Sequence, residues 1–106
     1  ALFFLSPLSA LFLYLYFMTY LTYILYSQSK DRYYIGSCSD IAQRLKRHND
    51  GATPSTKPGR PWIVVWSINY PTKTEALKQE NYLKRMKSRV HIEKLISESN
   101  SICLGS

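Results

Sequence analysis

The chain has 106 residues, with 14 Lys and Arg against 7 Asp and Glu and a net charge of +7. That length leaves room for one domain with a small core. The positive surplus points to a polyanionic partner, nucleic acid first, with a merely soluble basic protein as the alternative. Cys38 and Cys103 stand far apart and fit no metal-ligand spacing. They read as reduced thiols of a cytosolic protein, with a structural disulfide as the alternative.

Residues 1–29 contain no Asp, Glu, Lys or Arg, and every charged residue but Glu98 falls between Lys30 and Lys94. The apolar head, residues 1–17, is long enough to span a bilayer if extended through Tyr26. It lacks a basic flank, is broken by Pro7 and runs without a linker into a strand pattern. The expected functional domain is therefore 18–97, starting at Met18. The head is expected to be upstream translated sequence, with a membrane helix as the alternative.

Leu21–Ser27 is aromatic and β-branched enough for a strand, and Tyr33–Ser37 reads as a second. The polar turn Gln28–Arg32 between them predicts an antiparallel hairpin. Ser39 or Asp40 caps a helix that runs to Asn49, with Gln43 in capping-box position and Gly51 at the stop. Ala52–Pro61 is a loop by its Pro, Gly, Ser and Thr content. Trp62–Tyr70 is the clearest strand, and Pro71 ends it. Thr72 with Glu75 starts a helix to about Lys87, and Ser88 caps a last one over Arg89–Ser97. The tail, 98–106, is expected to fray. The order β-β-α-β-α-α predicts a small three-stranded, mostly antiparallel α/β sheet flanked by helices.

Charges fall where apolar residues belong. In the first helix Ile41, Leu45 and His48 share a stripe that also holds Arg44. In the second, Glu80 sits between Leu77 and Leu83, with Ala76 and Tyr82 nearby. Each has a bland reading. Arg44 can snorkel, His48 can sit at a helix C-terminus, and Glu80 can pair with Lys84. Together with Tyr23 and Tyr34, which can share one face of neighbouring strands, they make a candidate polar site. Gly36, on the same face as Tyr34, is expected to let a substrate backbone approach closely.

Tyr34-Ile35-Gly36, preceded by Tyr23 and followed by Arg44, His48 and Glu80, resembles the GIY-YIG nuclease superfamily. The likeness runs from about Thr19 to Ser97. It includes DIAQRLKRHN, the lead GRPW into the third strand, and ALKQENYLK. The first tripeptide is degenerate, with Leu21-Thr22-Tyr23 keeping only the tyrosine. The pattern is most similar to the small stand-alone branch described as UvrC-like.

The resemblance implies a metal-dependent DNA endonuclease acting in repair or recombination. Glu80 would be the sole protein carboxylate on Mg²⁺ or Mn²⁺. Tyr23 would be the general base, with Tyr34 positioning the water or sharing that role. Because a free phenol has a pKa near 10, the site is expected to lower it, through Arg44 and the metal. Arg44 would also neutralise the phosphate, and His48 would assist proton transfer or bind phosphate. Arg47, Lys57, Arg60, Lys84, Arg85, Lys87, Arg89 and Lys94 would contact backbone phosphates without reading sequence. Trp62 and Trp66 are expected to anchor the third strand. The partner is DNA, with RNA also compatible, and the location cytoplasmic. A catalytically weak nucleic-acid-binding module with the same fold is the alternative.

Overall fold

The computed structural model describes residues 19–104. The expectations for residues 1–17 and for a start at Met18 lie outside them. Strands β1 (Tyr20–Ser27), β2 (Arg32–Cys38) and β3 (Trp62–Tyr70) form an antiparallel sheet in the order β2-β1-β3. Helices α1 (Ile41–Asn49), α2 (Lys73–Met86) and α3 (Arg89–Leu104) cover it. A 3-10 turn, Lys57–Gly59, lies in the loop before β3. The expected α/β class and element order are observed.

Strand alternation sets two cores. Leu21, Tyr23 and Leu25 point to one face, where they pack with Cys38, Trp62 and the α1 residues Ile41 and Leu45. Ile24 and Ile35 point to the other, against Trp66, Leu83 of α2 and Ile92 of α3. The two tryptophans are four positions apart in one strand and would share a face if β3 were regular. They do not, because the pairing of β1 with β3 shifts register. Ile24 faces Trp66 and Leu25 faces Val64, so Val65 is the extra residue of a bulge. The bulge sends Trp62 into the α1 core and Trp66 into the α2–α3 core. Both anchor the strand, as expected.

Local signals hold well. The Asp40 carboxylate accepts from the Gln43 backbone N–H, and the Thr72 hydroxyl accepts from that of Glu75. The hairpin turn is tighter than expected, since Arg32 already belongs to β2. Asp31 closes it with a φ of 51°, which a short polar side chain tolerates.

Two expectations are corrected. The tail is helical through Leu104 rather than frayed from Glu98. On α2 the sheet-facing stripe is Ala76, Glu80 and Leu83. Leu77 is 37 % exposed and Tyr82 49 % exposed. Ala76 and Leu83 are seven residues apart, close to two full turns at 3.6 residues each, whereas Leu77 is rotated away from that line.

Asn49, at the end of α1, imitates a strand partner. Its side-chain oxygen accepts from the Trp62 backbone N–H (2.6 Å) and its amide donates to the Trp62 carbonyl (3.1 Å). Asn49→Ala leaves both groups unpaired at the mouth of β3. It is expected to cost about 1–3 kcal/mol, read as a lower midpoint in urea denaturation. No helix among the described residues is long and apolar enough to cross a membrane.

Candidate active site

Tyr23 is fully buried, and its ring lies across the backbone of β2 at Gly36, its cross-strand partner. A Cβ built on Gly36 collides with the Tyr23 phenol. The expectation that Gly36 opens a way for substrate is therefore corrected: the phenol fills that space. Gly36→Ala is expected to displace the ring, costing about 1–3 kcal/mol by overpacking together with most activity. Thermal denaturation and a turnover assay on the same sample check both effects.

The phenol oxygen lies 3.4 Å from His48 Nε2. His48 is 2 % exposed, and its Nδ1 lies 2.8 Å from the Thr56 hydroxyl. Thr56 in turn donates to the Thr53 carbonyl at 3.3 Å. A hydroxyl has one proton, so Thr56 must accept from His48 Nδ1–H. In the neutral ring that leaves Nε2 as the acceptor, and Tyr23 donates to it. One directed line thus runs from Tyr23 through His48 and Thr56 to a loop carbonyl. Tyr34 closes the group, its ring centroid 4.9 Å from that of His48 and 6.4 Å from that of Tyr23.

Electrostatics assign the protonation states. Burial lowers the pKa of His48 below the ordinary histidine value, helped by the Arg44 and Arg47 cations, so the imidazole is a neutral acceptor near pH 7. Without a bound cation, Arg44 by itself does not lower the Tyr23 pKa. Burial pushes it well above the ordinary phenol value, Tyr34 adds to this, and the nearby Arg44 guanidinium opposes without prevailing. Tyr23 is a neutral phenol that needs a proton acceptor, and His48 is placed as one. Cys38, a buried free thiol in the same core, is also pushed up by burial. The side chain of Cys103 lies outside the described residues.

Glu80 stands apart from this group. Its helix packs on the other face of the sheet, and its carboxylate meets Lys84 Nζ at 2.7 Å. Along α2 it lies between Ala76, whose carbonyl accepts from the Ser37 hydroxyl, and Leu83, which lines a groove with Tyr34 and Ile35. Tyr23 and Glu80 thus belong to elements on opposite faces of the sheet, whereas the sequence pattern points all the candidate residues to one face. Among the described residues no hydrogen bond or ion pair joins Glu80 to Tyr23 or Arg44.

The basic residues divide in two. Arg47, Lys57, Arg60, Lys84, Arg85, Lys87 and Lys94 have exposed side chains, and three of them, Lys84, Arg85 and Lys87, share one shallow groove with Asn81. Arg89 is not available in the same way. It pairs with Asp31 and Glu93, donates to the Asp31 carbonyl and lies over the Tyr33 ring, tying the hairpin turn to α3. Thr56 and Asn49 escaped the sequence reading. Thr56 sits in a loop of unremarkable composition, and no local pattern marks it.

The GIY-YIG catalytic domain matches residues 19–94. The chain is 35 % identical over 65 residues to the UPF0213 protein YazA of Bacillus subtilis, covering 58 % of this chain and 66 % of that protein. It is 41 % identical over 68 residues to the structure-specific endonuclease subunit slx1 of Schizosaccharomyces pombe, covering 58 % of this chain and 25 % of that one. The solution NMR structure of the UPF0213 protein BH0048 from Bacillus halodurans is 32 % identical, covers 76 % of this chain and 84 % of its own, and has a TM-score of 0.49. With the match spanning all three strands and both helices that carry the candidate residues, this chain belongs to the GIY-YIG family.

Proposed function

We propose that the chain is a metal-dependent endonuclease that hydrolyses phosphodiester bonds of DNA, in a cytoplasmic setting and a repair or recombination role. The observation that carries this reading is the directed line from Tyr23 to His48 and Thr56, with Arg44 beside the phenol. Membership of the family and the likeness to a structure-specific endonuclease subunit support it.

Among the described residues, no three His, Cys, Asp or Glu side chains cluster as ligands. A cation here would have Glu80 as its protein carboxylate and take its other ligands from water and phosphate. That suits Mg²⁺ or Mn²⁺, which bind hard oxygen donors, Mg²⁺ commonly keeping several waters. The Glu80 side chain is 15 % exposed and pairs with the half-exposed Lys84, a cation whose place a bound metal ion would take. Bound there, the cation supplies Lewis-acid polarisation of the phosphate.

The protein's own groups move the proton. Once substrate binding admits water to the buried phenol, Tyr23 accepts a proton from the attacking water as its own passes to His48 Nε2. The water oxygen bonds to phosphorus, and the bond from phosphorus to the leaving sugar oxygen breaks. Tyr34 positions the water. Arg44 balances the charge on the phosphate with a planar fork that suits two oxygens. The phosphate also offsets the Arg44 cation that weakens His48 as a base, so substrate binding makes the imidazole more basic. Arg47, Lys57, Arg60, Lys84, Arg85 and Lys87 contact backbone phosphates, and binding weakens with salt.

The test is cleavage of nicked, branched and plain duplex DNA with Mg²⁺ and with a chelator. At least one form is expected to be cut, and only with the cation. Binding without cutting on every form would instead mark a binding module.

A further inference from the structure

We propose that a pocket beside the candidate active site takes one unpaired nucleotide of the substrate strand. Its role rests on the nuclease reading; its existence as a binding site does not. The pocket is a cavity of about 340 Å³ between the turn end of the β1–β2 hairpin and the 3-10 turn. Tyr34, Trp62 and Pro58 supply apolar and aromatic wall, and Lys30 and Arg32 supply positive charge. Among the described residues neither cation forms an ion pair within the protein, unlike Lys84 and Arg89.

The volume falls in the range of small-ligand pockets, more than a bare phosphate fills. Aromatic wall with flanking cations is the chemistry that holds single-stranded nucleic acid, a ring face for the base and charge for the backbone. A base stacked and paired within a continuous duplex cannot enter such a recess. Tyr34 is shared between the two places. Its ring centroid lies 6.2 Å from that of Trp62 and 4.9 Å from that of His48. A base in the pocket would therefore set its neighbouring phosphodiester toward the Tyr23 side of the same tyrosine. The pocket also reaches Thr56, the hydroxyl that orients His48. The substrate class that follows is DNA with an unpaired nucleotide beside the scissile bond, at a junction, flap or frayed end.

The test is a titration of the full chain, without metal, followed by ¹⁵N–¹H NMR. The Trp62 indole N–H donates to the Thr56 carbonyl at 2.8 Å and reports on the pocket, while Trp66, in the other core, is the internal control. A short oligothymidylate is expected to shift the Trp62 indole signal and leave that of Trp66 in place. Blunt duplex DNA should move neither. The double change Lys30→Ala with Arg32→Ala should weaken the oligothymidylate about tenfold. Ser55→Phe, which fills the pocket from an exposed position, should abolish the shift. A Trp62 signal unmoved by the single strand, or moved equally by the duplex, overturns the proposal. Cleavage by a protein whose Trp62 does not respond removes the pocket and keeps the nuclease; a response without cleavage on any DNA does the reverse.

Discussion

Tyr23→Phe is expected to lower cleavage by about a hundredfold to ten-thousandfold while the protein stays folded. The change removes one oxygen and leaves the ring packed over Gly36. The cost in stability is about 1 kcal/mol, since one buried hydrogen bond to His48 is lost. What disappears is the atom that passes a proton from water to His48. His48→Gln should therefore cost a similar factor, and the double variant little more than either alone, because both belong to one relay. Additive losses in that cycle would mean that the two residues act separately.

The same relay sets the pH dependence. His48 must be neutral to accept the proton, and burial with two arginine neighbours holds its pKa below the ordinary value. Activity should therefore be present above that lowered pKa and fall as pH drops through it, with the acid limb below about pH 6.5. The Tyr23 pKa is raised, so ionisation of the phenol should add no rise in rate between about pH 8 and pH 10. A pH–rate profile of wild type tests both limbs. A rate climbing steadily through the alkaline range would favour a phenolate base and sink the relay.

Glu80→Ala is expected to abolish detectable cleavage with almost no effect on stability. Among the described residues the carboxylate meets one partner, a half-exposed lysine one turn along the helix. Removing it loses one ion pair but also the cost of holding a carboxylate largely out of water, and the two offset. A residue that contributes so little to the fold yet lies on the sheet-facing stripe has its value in what it binds. The check joins two measurements. Mg²⁺ or Mn²⁺ should raise the melting temperature of wild type, as any ligand selective for the native state does, and should leave Glu80→Ala unmoved. Wild-type cleavage rates in Glu80→Ala would remove this residue from the site.

The candidate site was legible in the sequence as a set of residue types rather than as an arrangement. Tyr23 and Tyr34 sharing a face followed from strand alternation, and Arg44 and His48 from the helical period. Their gathering around one buried phenol needed the hairpin register that sets Tyr23 against Gly36. Glu80 was found as a charge on an apolar stripe, although its true companion there is Ala76 rather than Leu77. At Gly36 the neighbour that requires the missing Cβ is the Tyr23 ring. A missing Cβ signals that something comes close, but not whether it is a ligand or a neighbouring ring.

From its sequence alone, this protein's element order, helix starts, family pattern and basic surface could be read, because caps, turns and side-chain periods act within a few residues of one another. The tertiary structure decided the rest. A bulge at Val65 divides Trp62 and Trp66 between two cores, a threonine folded back from the loop after α1 orients His48, and burial rather than charge sets the proton on Tyr23. Each of these depends on which distant segment lies opposite, and on how much water that contact excludes, and neither quantity is encoded in any local stretch of the chain.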